Sequence, residues 1–177
     1  CHFADPVCLA SELGEDGQFN AVEKLVEVLS ARDYGYPCCQ SRGRSSAGTP
    51  SASCDTRAAE ARSFPMGDTP FGLDWERGFW PASHRGAIFV AMHGSYYRSA
   101  PRYPGAGIRF ARTSATTHLP TDEFSEFMGR AHGIGEGLPI VRPSDAAFAP
   151  DGRLFVADDH GHAIYWIAPI ELRMPAR

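Results

Sequence analysis

At 177 residues the chain has room for one ordinary domain with a real core, and its 43% apolar and 21% charged residues are average for a globular protein. The formal net charge is −4, Lys24 is the only lysine and no basic block occurs, so the clustered cations that nucleic acid requires are missing. No apolar run approaches the length of a membrane span.

The opening, Cys1-His2-Phe3, has no charged and apolar leader, and it reads as a processed chain or a piece of a longer one. Five cysteines crowd into the first third: Cys1, Cys8, Cys38, Cys39 and Cys54. No CxxC spacing occurs among them and no histidine pair stands at ligand distance, so zinc is not indicated. Cys38 and Cys39 are adjacent and badly placed to bridge each other. Pairs such as Cys1–Cys8 and Cys39–Cys54 would staple loops that lack a core, which suits an exported, oxidising setting. One cysteine is left over, to stay free or to pair outside the chain.

In chain order, residues 1–18 read as loop, rich in Asp, Glu, Gly and Pro but without the calcium-loop alternation. Residues 19–29 suit either one helical face (Phe19, Val22, Leu25, Val26, Leu29) or a short strand over Leu25–Leu29. Asp33-Tyr34-Gly35-Tyr36-Pro37 ends that segment with turn chemistry. Gln40–Arg62, rich in Ser, Gly, Ala and Arg without apolar period, reads as an exposed excursion tied by Cys54.

From Pro70 onward the pattern changes to short strands between strong turns. Phe71–Trp75, Ala87–Met92 and Gly107–Arg112 are followed by a weaker edge candidate, Phe124–Met128. Ala146–Ala149 then leads through Pro150-Asp151-Gly152 into Leu154–Ala157, and Asp158–His162 turns the chain into Ala163–Ala168. The series PFGLDW, AIFVAM, GIRFAR is echoed by SDAAFA, LFVAD, AIYWIA. A weak internal repeat of short strands, with no convincing helix, predicts an all-β fold of radial sheets, a partial β-propeller, rather than a sandwich. Trp75, Trp80 and Trp166 are expected to pack between such sheets.

The densest chemistry follows the buried strand Ala87–Met92, where His93-Gly94-Ser95-Tyr96-Tyr97-Arg98 brings an imidazole, a hydroxyl, two phenols and a guanidinium to one strand end. Rigid strand ends that deliver such groups are where sites are built; the plain alternative is a polar surface loop. Arg142, before a proline, reads on its own as a solvent-exposed arginine. Asp158-Asp159 has the look of a metal pair, yet aspartates directly after a strand more often close a turn through their own backbone. His160 and His162 read as a hairpin tip.

Taken together, Pro70-Phe71-Gly72-Leu73, Gly78-Phe79-Trp80-Pro81, His84-Arg85-Gly86, Phe89-Val90-Ala91, His93-Gly94-Ser95 and Arg98 resemble the C-terminal portion of the glucose/sorbosone dehydrogenase family. So do Arg142-Pro143, Ala149-Pro150-Asp151-Gly152, Leu154, Val156 and Asp158-Asp159, while Glu23–Pro37 is similar to the family's acidic–Leu strand and following turn. That likeness tips Leu25–Leu29 toward strand. It implies a six-bladed β-propeller that oxidises aldoses or related sugars with pyrroloquinoline quinone (PQQ), often with calcium, and passes electrons to an external acceptor. This chain would supply about two to three of the four-stranded blades. Residues 1–69 would form a Cys-rich loop segment with one strand of a preceding blade and an exposed insert. Residues 70–177 would form the C-terminal blades.

The resemblance further implies that Arg142 pairs with quinone carboxylates, to which a guanidinium fork is matched. It places His93, Gly94, Ser95 and Arg98 on a loop at the same mouth, with Gly94 permitting close backbone approach. The family's catalytic histidine comes from an early blade and would lie outside this chain, as would the remainder of the ring. Tyr96-Tyr97 stand where the family commonly has Trp-Asn. That departure keeps a second reading open: a non-catalytic extracellular propeller that binds protein or carbohydrate.

Overall fold

The computed structural model describes residues 2–4, 7–14, 21–28, 32–41, 44–46, 54–95, 105–129, 142–170 and 172. Among these the regular structure is β, apart from a 3-10 turn at Cys54–Thr56. The first sheet contains β1 (His2–Ala4), β2 (Val7–Glu12), β3 (Val22–Glu27) and β6 (Arg62–Pro65), in that spatial order. Between β3 and β6 the chain makes the small hairpin of β4 (Cys39–Ser41) and β5 (Arg44–Ser45). The second sheet is a four-stranded meander of β7 (Pro70–Trp75), β8 (Ile88–Met92), β9 (Gly107–Ala111) and β10 (Ser125–Met128). The third has β11 (Pro143–Phe148), β12 (Leu154–Asp158) and β13 (Ala163–Ile167). Every pairing within these sheets is antiparallel.

This is the partial β-propeller that the short strands and turns predict, and the two echoed series are β7–β8–β9 and β11–β12–β13. The first third departs from expectation. Residues 1–69 carry a whole four-stranded sheet, not loop with one strand, and the expected loop over residues 1–18 contains β1 and β2. β1 has three residues, and in β2 Val7 and Leu9 alternate into a core shared with the second sheet.

β8 shows why an uninterrupted apolar run was needed. All five of its residues are buried because its sheet is covered on both faces. Phe89 and Ala91 point into a cluster with Trp80, Phe148, Leu154 and Val156 against the third sheet. Ile88, Val90 and Met92 point the other way, onto Val7, Leu9, Leu25 and Phe64 of the first. Strand alternation thus assigns successive side chains to two different cores.

The junction of second and third sheets is aromatic and hydrogen-bonded. The Trp80, Phe89 and Phe148 rings meet edge-on, with centroids 5.2–5.4 Å apart. Trp80 Nε1 donates to the Gly152 carbonyl at 2.7 Å, and the Phe148 N–H donates to Asp74 Oδ2 at 2.7 Å. The buried Glu76 carboxylate accepts the N–H groups of Gly78, Phe79, Trp80 and Gly86, which shapes the loop carrying Trp80. Buried backbone donors are rarely left unpaired, and one carboxylate satisfies four here.

Cys39 and Cys54 form a disulfide that ties the excursion together, as the cysteine positions suggested. The excursion is more built than its composition implies, since Gln40, Ser46 and both of these cysteines are buried. Cys8 is also in a disulfide, its partner outside the described residues, and Cys38 is free. Trp75 and Trp80 pack as expected, but Trp166 is 56% exposed and Ile164 is 73% exposed. Both lie on the far face of the third sheet, with the Arg153 guanidinium over the Phe155 and Trp166 rings.

Candidate functional site

The strand ends that matter gather at one rim. β8 delivers His93, the turn after β6 delivers Gly67–Thr69, Arg142 precedes β11, and Asp159 follows β12. The His93 N–H donates to the Thr69 carbonyl at 2.8 Å and the Gly94 N–H to the Asp68 carbonyl at 3.0 Å. These bonds fix the backbone that carries the imidazole. The ring is stacked on Phe71 with centroids 4.5 Å apart and planes 17° from parallel.

His93 Nε2 lies 2.8 Å from Asp159 Oδ2. Burial alone would raise the Asp159 carboxyl. The His93 hydrogen bond and charge, the Arg142 charge and the His160 N–H outweigh it and hold the group below its ordinary range. An ionised carboxylate only accepts, so this contact is a hydrogen bond in the forms of the ring that carry a proton on Nε2. Arg142 is 7% exposed, which rules against the solvent-exposed pre-proline reading. His93 of the second sheet thus meets Asp159 of the third, far apart in sequence, and the Arg142 charge also favours that carboxylate's ionised form.

The paired aspartates divide their work. Asp158 is buried, and its Oδ1 accepts N–H groups from Arg142 at 3.3 Å, His160 at 3.1 Å and Gly161 at 2.8 Å. That is the turn-closing role read from sequence. Asp159 was grouped with it but turns toward His93 instead. Successive residues at a strand end face opposite ways, and that signal could have separated the two.

Gly94 adopts φ +78°, and a Cβ there would stand 2.9 Å from both Cβ and N of Ala106. The close approach that glycine permits is thus to the start of β9, within the protein. Ser95 is half-buried beside Gly67. Arg98 lies outside the described residues. Phe71 also lines an open cleft of about 280 Å³ shared by Ser11, Gly72, Asp74, Asp145 and Ala147, on strands from all three sheets. Among the described residues no group of three or more His, Cys, Asp or Glu side chains is placed to hold a metal ion.

A second set of charges lies under the rim. Glu23, on β3, is 2% exposed, and its carboxylate accepts the Gly67 N–H at 3.2 Å, the Thr69 N–H, and the Thr69 hydroxyl at 3.4 Å. Asp68 Oδ2 lies 2.6 Å from an Arg109 guanidinium nitrogen. Burial pushes both carboxyls above their ordinary ranges. For Glu23 the Thr69 and Gly67 N–H bonds pull back and the Asp68 charge adds to the rise; for Asp68 the Arg109 charge pulls back. Glu23 escaped the sequence reading because its burial comes from contacts that no local pattern encodes.

No protein-family model matches the chain, and no curated protein does. Solved structures do. The calcium structure of a Trichoderma reesei carbohydrate-active enzyme of family AA12 aligns with TM-score 0.61 and 18% identity, over 87% of this chain and 45% of that one. The holo form of the pyranose dehydrogenase PQQ domain from Coprinopsis cinerea aligns with TM-score 0.60 and 19% identity, over 83% and 44%. A glucose dehydrogenase crystal structure aligns with TM-score 0.61 and 12% identity, over 92% and 41%. The chain spans less than half the length of each. Its three successive antiparallel sheets thus have the fold of a PQQ sugar dehydrogenase propeller, in part.

Proposed function

We propose that this chain is the C-terminal part of a PQQ-dependent sugar dehydrogenase acting on an aldose or sorbosone-like substrate, and that it supplies one arc of the cofactor mouth. The observation that carries the reading is the hydrogen-bonded pair of His93 and Asp159 at one rim of the second and third sheets, next to the buried Arg142 that Asp158 holds at its backbone. The fold likeness and the sequence resemblance support it independently of that geometry.

The donor set suits a planar polyacid. A guanidinium fork matches a carboxylate in two parallel hydrogen bonds, and Arg142 is already oriented at its backbone by Asp158. His93, flat against Phe71, adds a ring nitrogen, and Ser95 adds a hydroxyl beside it. Asp159 offsets part of the positive charge and holds the imidazole still. When bound, the quinone supplies the two-electron acceptor for sugar oxidation. The catalytic base, the calcium ligands and the route to an external electron acceptor belong to the rest of the ring in this reading. The disulfide Cys39–Cys54 supports a secreted or periplasmic setting.

The test is PQQ binding to this chain, with and without calcium, followed by tryptophan fluorescence and equilibrium dialysis. Arg142→Ala is expected to weaken binding by about tenfold or more, the range for losing a charge-assisted pair. Equal binding by the parent and Arg142→Ala, or none by either, would overturn the proposal. Sugar binding without quinone binding would favour the non-catalytic carbohydrate-binding propeller instead.

A further inference from the structure

We infer that Glu23, on the first sheet, is a positioning residue for the His93–Gly94 loop of the second, acting through the strained turn Gly67–Thr69. Thr69 has φ +52°, a left-handed conformation that is unfavourable for a β-branched residue, and Gly67 precedes it at φ +95°. Such a conformation persists only where its surroundings over-determine it. Here the buried Glu23 carboxylate grips the turn at both ends, taking the N–H of Gly67 and both the N–H and hydroxyl of Thr69.

The output of that turn is the candidate mouth. Its two carbonyls, from Asp68 and Thr69, accept the N–H groups of Gly94 and His93. Asp68 is steadied from the other side by Arg109 of β9, and an added Cβ on Gly105 would collide with the Asp68 Cα at 2.9 Å. Glu23 therefore reaches His93 through two layers of hydrogen bonds, without touching it. The functional meaning rests on the proposed quinone mouth, but the positioning claim does not.

The experiment is amide hydrogen exchange on the whole chain, without cofactor. Glu23→Ala is expected to speed exchange at His93 and Gly94 by about tenfold or more relative to Phe148, whose N–H is held by Asp74 in the other junction. Adding Thr69→Gly lets the turn take its positive φ without strain and is expected to restore most of the lost protection. Should Glu23→Ala fail to fold, Glu23→Gln serves, with a smaller rise and the same rescue. Acceleration shared equally by Phe148, unchanged rates at His93 and Gly94, or no rescue by Thr69→Gly would each overturn the inference. A chain that binds no PQQ yet shows this exchange pattern would sink the cofactor reading and leave the positioning role standing.

Discussion

Asp159 and Glu23 serve the same strand end from the two flanking sheets, in opposite electrostatic settings. Asp159 is half in water, touches the His93 ring directly and has a lowered carboxyl. Glu23 is sealed between sheets, touches only backbone and one hydroxyl of a turn, and has a raised one. A solvated carboxylate facing cations can hold its charge cheaply and tune a side chain. A buried one facing neutral N–H groups costs more to ionise but fixes backbone geometry. The comparison teaches that rim chemistry and the shape beneath it are set by different residues, on different sheets.

Glu23→Ala should sharpen the contrast most. It leaves two buried N–H donors without an acceptor and is expected to cost about 2–4 kcal/mol, read from urea unfolding. Asp158→Ala comes next, at about 2 kcal/mol by the same measurement, because three N–H groups share its Oδ1. Asp159→Asn should cost under about 1 kcal/mol, as half-exposed pairs do. It should nonetheless shift the His93 tautomer balance, visible in ring ¹⁵N chemical shifts. A loss for Asp159→Asn as large as that for Asp158→Ala would erase the distinction between the neighbouring aspartates.

The smallest effects are in pH, and their signs oppose. A raised folded-state value means Glu23 contributes stability that is full below its ordinary value of 4.5 and is lost as pH rises through the raised one. The parent should therefore gain on Glu23→Gln as pH falls from neutral toward 4.5. Asp159, being lowered, contributes stability present above 3.8 and lost as pH falls through its depressed value. The parent's advantage over Asp159→Asn should hold down to 3.8 and shrink below it. Two difference curves sloping the same way would break the comparison.

Much of this was legible in the residues. The strands after Pro70 announced themselves because each is bounded by strong turn chemistry, and the apolar run ending at Met92 announced a buried strand. The strand end at His93 stood out because polar groups follow apolar ones at once. Other features were hidden for a common reason. β1 has three residues, in β2 only Val7 and Leu9 alternate into the core, Glu23 stood out only as part of a strand similar to the family's, and Asp159 looked like its neighbour. Trp166 erred the other way: an aromatic in a strand reads as core, yet its face carries no covering sheet among the described residues.

Alternation and turn residues determined the strands after Pro70, and the cysteine positions made Cys39–Cys54 one of the natural ties, because each of these is encoded within a few residues or by simple spacing. Only the packing of one sheet on the next decided which charges are buried, which carboxylate meets His93 and which turn is held under strain. Those outcomes depend on groups brought together from distant parts of the chain, and a local pattern carries no information about the dielectric in which its side chains will end up.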